Sequence, residues 1–397
     1  MTKPVRRYLD NAATSWPKPQ GVYDAWDRAA RTLGVAAGRG AYGEAVEAGR
    51  IIDRARAFVA AMLGGVEPDC VAFPAGGTLA LNMAIHGVVQ AGDHVIATAA
   101  DHNATLRPLH WLASRGVITL DIVPCDGSGR VDPAAIAAAW RSPTRLVACS
   151  HASNVTGALQ DAATIARLAH ERGGLLLLDA AQTLGQISAP EFAAIGADML
   201  AAPAHKWVLG PRGAGILFVR PGIAIAPLVQ GGTGSSSDSL EMPADFTDRM
   251  EAGTPDLPAI AGLAAAVEWL QTRSVSSVAA ACRGLARDCA ARLAEVPGVD
   301  VIGAVAGSAA VGSAPIVSFT VAGFDPAEVA AVLEQAAGVQ ARSGFHCAAR
   351  VHEHLGTAAG GTVRVSFGPF NAADDVDAVV DTVALLVGGE SASGLRV

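Results

Sequence analysis

Leu175-Leu176-Leu177-Leu178-Asp179-Ala180-Ala181-Gln182 sets four leucines in a row against one carboxylate. A strand with one wet face would alternate apolar and polar residues. Four consecutive leucines instead suit a strand covered on both faces, as in a parallel sheet packed between helices. In such sheets ligands sit at the carboxyl ends of the strands. Asp179 falls at that end, where a carboxylate is costly unless a cation meets it. A protonated pyridine nitrogen would be such a cation; an N-cap for a following helix is the other reading.

The pattern extends outward in both directions. Helix periodicity is expected over residues 51–63, 106–114, 133–141 and 162–171, with a helix beginning at Leu79. Short apolar strands are expected at 70–73, 94–98, 118–123, 145–150, 199–201 and 215–219. Strands alternating with helices predict an α/β fold with a mostly parallel sheet. Thr78, His102, Asn154, Asp179 and Lys206 then fall at strand ends. Beyond a Gly/Ser-rich loop at 231–239 a helix is expected from Ile260 through Trp269. A second α/β unit follows, with strands at 316–321 and 362–367 and helices at 326–335 and 373–387.

Composition excludes other classes. The net charge is −8 with no basic block, so neither nucleic acid nor a membrane surface is an expected partner. No run of about 18 clean apolar residues suggests a membrane span, and no apolar h-region follows the basic N-terminal residues. The six cysteines form no CxxC and no zinc spacing, so no metal is expected and a reduced, cytoplasmic compartment fits. No GxGxxG or GxxxxGK[ST] fingerprint stands at a strand end, which disfavours a nucleotide-binding protein.

Several segments carry chemistry. Ala204-His205-Lys206-Trp207 leads into a Gly-rich turn, where a desolvated lysine would have the lowered pKa that a Schiff base needs. A surface lysine beside a turn is the plainer alternative. Gly76-Gly77-Thr78 could hold a phosphate at a helix N-terminus. In Arg342-Ser343-Gly344-Phe345-His346-Cys347-Ala348, neighbouring Arg and His could hold Cys347 as thiolate. The other five cysteines read as buried packing residues. Arg364 alternates with valines on a strand and suits a substrate carboxylate, or an ordinary ion pair with a protein acid.

Taken in this order, the segments resemble the class V aminotransferase superfamily of pyridoxal 5'-phosphate (PLP) enzymes. The resemblance runs from Tyr8-Leu9-Asp10-Asn11-Ala12-Ala13 to Arg364 and Asn371. Within it, the Arg-x-Gly-x-His-Cys-Ala element is most similar to cysteine desulfurases, in the branch that includes selenocysteine lyase-like enzymes. The resemblance implies PLP fold type I, with a large domain over 15–260 built on a seven-stranded sheet. A smaller C-terminal α/β domain over 1–14 and 261–397 would carry the nucleophile and the carboxylate-binding arginine.

The resemblance also implies roles. Lys206 would carry PLP, Asp179 would face the ring nitrogen, and Gln182 the phenolic oxygen. His102 would stack on the ring, and Asn154 would lie beside ring and substrate. Gly77, Thr78 and His205 would hold the phosphate, and Thr254 would reach that of a partner in a homodimer. Arg364 would bind the substrate carboxylate with Asn11 nearby. Cys347 would take sulfur from L-cysteine and pass it to an acceptor protein. Three positions depart from the family pattern: Pro203 replaces a hydroxyl residue, Gly77 and Leu79 replace a Thr and an acid, and Phe345 replaces a histidine. Phe345 predicts apolar surroundings for Cys347. Another class V chemistry is the competing expectation: selenocysteine lyase, carbon–sulfur lyase of secondary metabolism, epimerase or aminotransferase.

Overall fold

The computed structural model describes residues 4–37, 40–303 and 313–389. In chain order the strands are β1 (Arg7–Tyr8), β2 (Val71–Ala72), β3 (His94–Thr98), β4 (Thr119–Val123), β5 (Thr144–Ser150), β6 (Leu175–Asp179) and β7 (Met199–Pro203). They continue with β8 (Gly215–Val219), β9 (Val299–Ile302), β10 (Ile316–Val321), β11 (Val339–Gln340), β12 (Arg342–Gly344) and β13 (Thr362–Ser366). The large sheet runs β2-β8-β7-β6-β5-β3-β4. Only β8 is antiparallel to its neighbours; the other pairings are parallel.

The leucine run occupies β6 at the sheet centre, as expected. Leu176 and Leu178 enter the core on one face, and Leu177 the core on the other. This is the two-residue alternation of a pleated strand, with both faces dry. Each such leucine contributes roughly 1.5–3 kcal/mol of burial. The helix Gly77–Val88 covers the Leu177 side and Ala162–Glu171 the Leu176 side.

The second sheet, β12-β13-β10-β9, is antiparallel throughout. Its core takes Val317, Phe319, Val363 and Val365 from the strands. Cys289 and Leu293 come from the helix Val275–Ala294, and Val376 and Val379 from Ala373–Gly388. Leu9 joins this core, and β1 pairs with β11, so the N-terminal residues lie with the second sheet. The expected division after residue 260 falls inside the helix Leu257–Arg273, whose Leu263, Val267 and Leu270 pack in the large-sheet core. That helix therefore belongs with the large sheet. Residues 1–3, 304–312 and 390–397 of the expected small domain lie outside the described residues.

Some boundaries differ from expectation for local reasons. The helix expected from Leu79 starts at Gly77, because Gly76 at φ 119° makes the turn that redirects the chain. Cys70 ends a 3-10 turn and is partly exposed, so it is neither in a strand nor a buried packing residue. Among the described residues, no helix is long and apolar enough to cross a membrane.

The base of the large sheet is tied by Asp198, which is fully buried before β7. It accepts from Leu176 N–H at 2.7 Å, from His170 Nε2 at 2.9 Å and from Arg220 Nη2. Asp198→Ala strands these donors and is expected to cost about 3 kcal/mol. A chemical-denaturation midpoint should fall clearly for Asp198→Ala and less for Asp198→Asn. Equal midpoints would show that the buried carboxylate holds nothing together.

Candidate active site

A cavity of about 220 Å³ opens at the carboxyl ends of β5, β6 and β7. Its lining includes Gly77, Thr78, His102, Asn154, Asp179, Gln182, His205, Lys206, Arg342, His346 and Arg364. Residues separated by nearly 290 positions in sequence thus face one space: parallel strands bring the loops of the large sheet to one edge, and the second sheet with the turn after β12 adds Arg342, His346 and Arg364. Among the expected site residues, Asn11, Thr254 and Cys347 are not in this lining.

Lys206 follows β7 by three residues. Removal of water from its ammonium lowers its pKa to about 8; Asp179 works in the opposite direction. Asp179 ends β6, and burial raises its pKa, opposed by the Ala181 N–H bond at 2.9 Å and by Lys206. Asp179 caps no helix, since the residues after it form turns and the next helix starts at Ala189; it accepts from its own turn and lines the cavity. Gln182 is fixed at both ends of its amide: Trp207 Nε1 donates to Oε1 at 2.7 Å, and Nε2 donates to Ala12 O at 3.1 Å. Trp207 is itself fully buried, against Ala12, Ala152 and Ile316.

His102 caps the helix Asn103–Ser114, accepting from Ala104 N–H at Nδ1 (3.0 Å). Burial, then Lys206 and Arg342, bring its pKa down to about 4, so the ring is neutral with its proton on Nε2. Burial and Lys206 likewise bring His205 to about 4. The His102 loop is held by Asp101, fully buried, which accepts from Thr98 N–H (2.7 Å) and Ser150 N–H. Burial pushes Asp101 up to about 7.

Arg364 on β13 is both an ion-pair partner and a cavity wall. Nη2 meets Asp10 Oδ1 at 2.8 Å, Nη1 donates to Asn154 O at 2.9 Å, and Nε is buried with no hydrogen-bond partner. Asn154 Nδ2 in turn donates to His346 O at 2.7 Å. Asn103 N–H donates to Cys347 O at 2.8 Å. These contacts clamp a turn in which His346 (φ 50°) and Cys347 (φ 61°) are both left-handed. Arg342 Nη2 donates to Cys347 Sγ at 3.3 Å. The apolar surroundings expected from Phe345 are not found: its ring is 43% exposed and meets the edge of His352 instead. Cys347 is exposed, whereas Cys125, Cys149, Cys282 and Cys289 are buried; all six are free.

Two expected residues lie elsewhere. Asn11 is buried and donates to Ser366 O (2.8 Å) and Asn371 Oδ1 (3.1 Å), tying the N-terminal segment to β13. Thr254 is exposed beside Glu251 and Pro255, in a separate cavity near Phe73. Asp10 stands in the N-terminal motif without an expected role, and Asp101 precedes His102 without one. Their partners, Arg364 and Ser150, lie 354 and 49 residues away, and nothing local signals them.

The lining suits a phosphorylated, cationic ring. Gly77 lies under Pro203, where a Cβ would come within 3.0 Å of the proline, so only glycine keeps that wall open. The first N–H groups of the helix Gly77–Val88 have no side-chain cap. His205 Nδ1 is a buried atom without a hydrogen-bond partner.

The family model of class-V aminotransferases matches residues 7–379. The chain belongs to the class-V aminotransferase family. A probable cysteine desulfurase of Methanothermobacter thermautotrophicus is 32% identical over 388 residues, 96% of this chain and 94% of the relative. One from Pseudomonas aeruginosa is 34% identical over 385 residues, 93% of this chain and 91% of the relative. The apo structure of a cysteine desulfurase from Thermococcus onnurineus NA1 has a TM-score of 0.88 at 28% identity, covering 96% of this chain and 94% of that one. A cysteine desulfurase from Escherichia coli, in an S-sulfonic acid form, has a TM-score of 0.85 at 28% identity with the same coverage. The α/β architecture is PLP fold type I, as the class-V resemblance implies.

In this class-V cavity, the neutral fraction of Lys206 controls capture of an aldehyde. His102 and His205 are already neutral above about pH 5. The rate at which apoprotein captures PLP, followed by visible absorbance, should rise with pH through a midpoint near 8 and level off above it. A profile still rising toward pH 10 would place Lys206 in water. Lys206→Ala should abolish the borohydride-reducible band.

Proposed function

We propose that this chain is a PLP-dependent cysteine desulfurase that converts L-cysteine to L-alanine and holds the sulfur as a persulfide on Cys347. The observation that carries the reading is an exposed cysteine, touched by an arginine, on a loop clamped to the rim of a cavity that contains Lys206 and Asp179. The names of the relatives support the same chemistry. The class-V and cysteine desulfurase families are PLP-dependent.

PLP, when bound, supplies an electron sink for charge released at the substrate Cα. Lys206 would hold the cofactor through its amine, and Asp179 would keep a proton on its ring nitrogen. Gly77, Thr78 and His205 would bind its phosphate, Gln182 its phenolic oxygen, and neutral His102 would pack against the ring. Arg364 orients the substrate carboxylate beside Asn154. Once the substrate amine has displaced it, Lys206, its pKa lowered to about 8, supplies at neutral pH the neutral fraction that takes the Cα proton. The Cys347 thiolate then attacks the substrate sulfur: a sulfur–sulfur bond forms, the substrate carbon–sulfur bond breaks, and alanine leaves after Cβ is protonated and Lys206 returns its proton to Cα. Arg342 donates to that sulfur and orients it.

The exposed position of Thr254, away from its own chain's cavity, supports a homodimer in which it serves the partner's phosphate site. Six free cysteines support a reducing, cytoplasmic setting in which Cys347 stays reactive.

Incubation with L-cysteine and excess dithiothreitol, which reduces the persulfide, should yield alanine and sulfide in equal amounts; pyruvate, or release of selenium alone from selenocysteine, would assign another class V chemistry. Cys347→Ser should keep the visible absorbance and lose alanine formation by at least about 100-fold. Arg364→Lys keeps the charge beside Asp10 but loses the fork, and should raise KM for L-cysteine about tenfold with a smaller change in kcat. An unchanged KM would leave Arg364 as an ion-pair partner alone.

A further inference from the structure

Cys347 faces a second cavity, outside the one that holds Lys206. This outer space is about 600 Å³, open to solvent, and is lined by Asn82, His86, Arg107, Trp111 and Cys347. Thr78, His102 and Ala104 line both cavities and form the wall between them. The outer volume lies within the usual range for small-molecule sites. One wall is rigid: the Trp111 ring meets His86 edge-on at 6.0 Å between centroids.

The charge in this space is one-sided. None of its lining residues is an aspartate or glutamate. Arg107 is exposed and makes no ion pair with the described residues. Arg342, on the other side of Cys347, has no carboxylate within 4.0 Å either and donates to Sγ. In a chain of net charge −8, two arginines without acids beside one reactive sulfur favour an anion at that place.

We propose that the outer cavity is the acceptor site for the Cys347 persulfide, and that it takes a small thiol bearing carboxylates, anchored by Arg107. The proposal rests on the desulfurase reading and names where its sulfur leaves. The thiol R–SH attacks the outer sulfur of Cys347–S–SH. A bond forms between the thiol sulfur and that outer sulfur, and the bond to Cys347 Sγ breaks. R–S–SH leaves, and the proton of the thiol returns to Cys347. No net oxidation occurs. Arg342 stabilises the departing Cys347 thiolate, and Arg107 holds the carboxylates of the incoming thiol. The shared wall keeps the acceptor away from Lys206, while Cys347 lines the outer space and its neighbour His346 lines the inner one.

The experiment uses the PLP-loaded enzyme with L-cysteine and compares two acceptors, mercaptosuccinate and the uncharged 2-mercaptoethanol. Alanine formed in the first turnover, without acceptor, measures the desulfurase half alone; its absence in the wild-type protein would refute the parent reading. Given that burst, steady-state alanine formation should show about a tenfold preference in kcat/KM for mercaptosuccinate, weakening as salt is raised. Arg107→Glu should erase the preference, Arg107→Lys should restore most of it, and neither should change the rate with 2-mercaptoethanol more than about twofold. An equal response to both thiols, or a preference that survives Arg107→Glu, overturns the proposal. A normal burst with turnover by neither thiol also overturns it, and assigns the exit to a protein-borne thiol.

Discussion

Asp179 and Lys206 carry opposite charges at the closed end of a cavity where neither is easily left alone. Burial raises the carboxylate's pKa and lowers the ammonium's, and each group partly offsets the other's shift. The pair exists because β6 and β7 are adjacent and parallel, so their carboxyl ends reach the same edge. The apolar leucines of β6 fix that register. Slipping the strand by one residue would move Leu177 to the other core and turn Asp179 away from the edge. The large sheet is thus both the source of stability and the ruler that sets the chemistry.

The second sheet makes a different contribution. It brings Arg364 and the Cys347 turn up to the large-sheet edge, where Ile316 packs against Trp207, Ala348 and Val351 join the large-sheet core, and polar contacts add to these. Arg364 spans the junction by pairing with Asp10 and donating to Asn154 O, while Asn154 reaches back to His346. Ser318 Oγ on β10 adds a bond to Val155 O at 2.6 Å. The residue that lines the cavity is therefore linked, through one asparagine, to the loop that carries the thiol.

Local periodicity made the central strands legible. β6, β8, β10 and the helix Ala162–Glu171 lie where the apolar pattern puts them, because four or more residues share one environment there. The lining set was legible too, through strand ends, turn glycines and the family resemblance. What local pattern could not reveal was pairing over long separations. The two-residue strands β1 and β11 meet across more than 330 positions, and the Asp10–Arg364 contact spans 354. Asn11 was visible as part of a motif, but only the fold reveals that its amide is committed to Ser366 and Asn371. The surroundings of Cys347 were misread for the same reason. Phe345 is only two residues away in sequence but turns outward, while Arg342, five residues away, is the side chain that touches the sulfur.

That turn also locates stored strain. Left-handed backbone costs an ordinary residue about 1–2 kcal/mol, and glycine would remove the cost. Here the two consecutive left-handed positions are His346 and Cys347, and neither can be glycine if the turn is to present a sulfur. The strain is offset locally: both carbonyls accept hydrogen bonds, and His346 Nε2 lies 2.9 Å from Thr362 Oγ1. His346 is buried, so its neighbours over-determine its conformation. Cys347, the next residue, is exposed and lines the outer cavity, while His346 lines the inner one. A rigid residue followed at once by an accessible one gives the sulfur a fixed base and a free end, which is what a group that must meet two partners in turn requires.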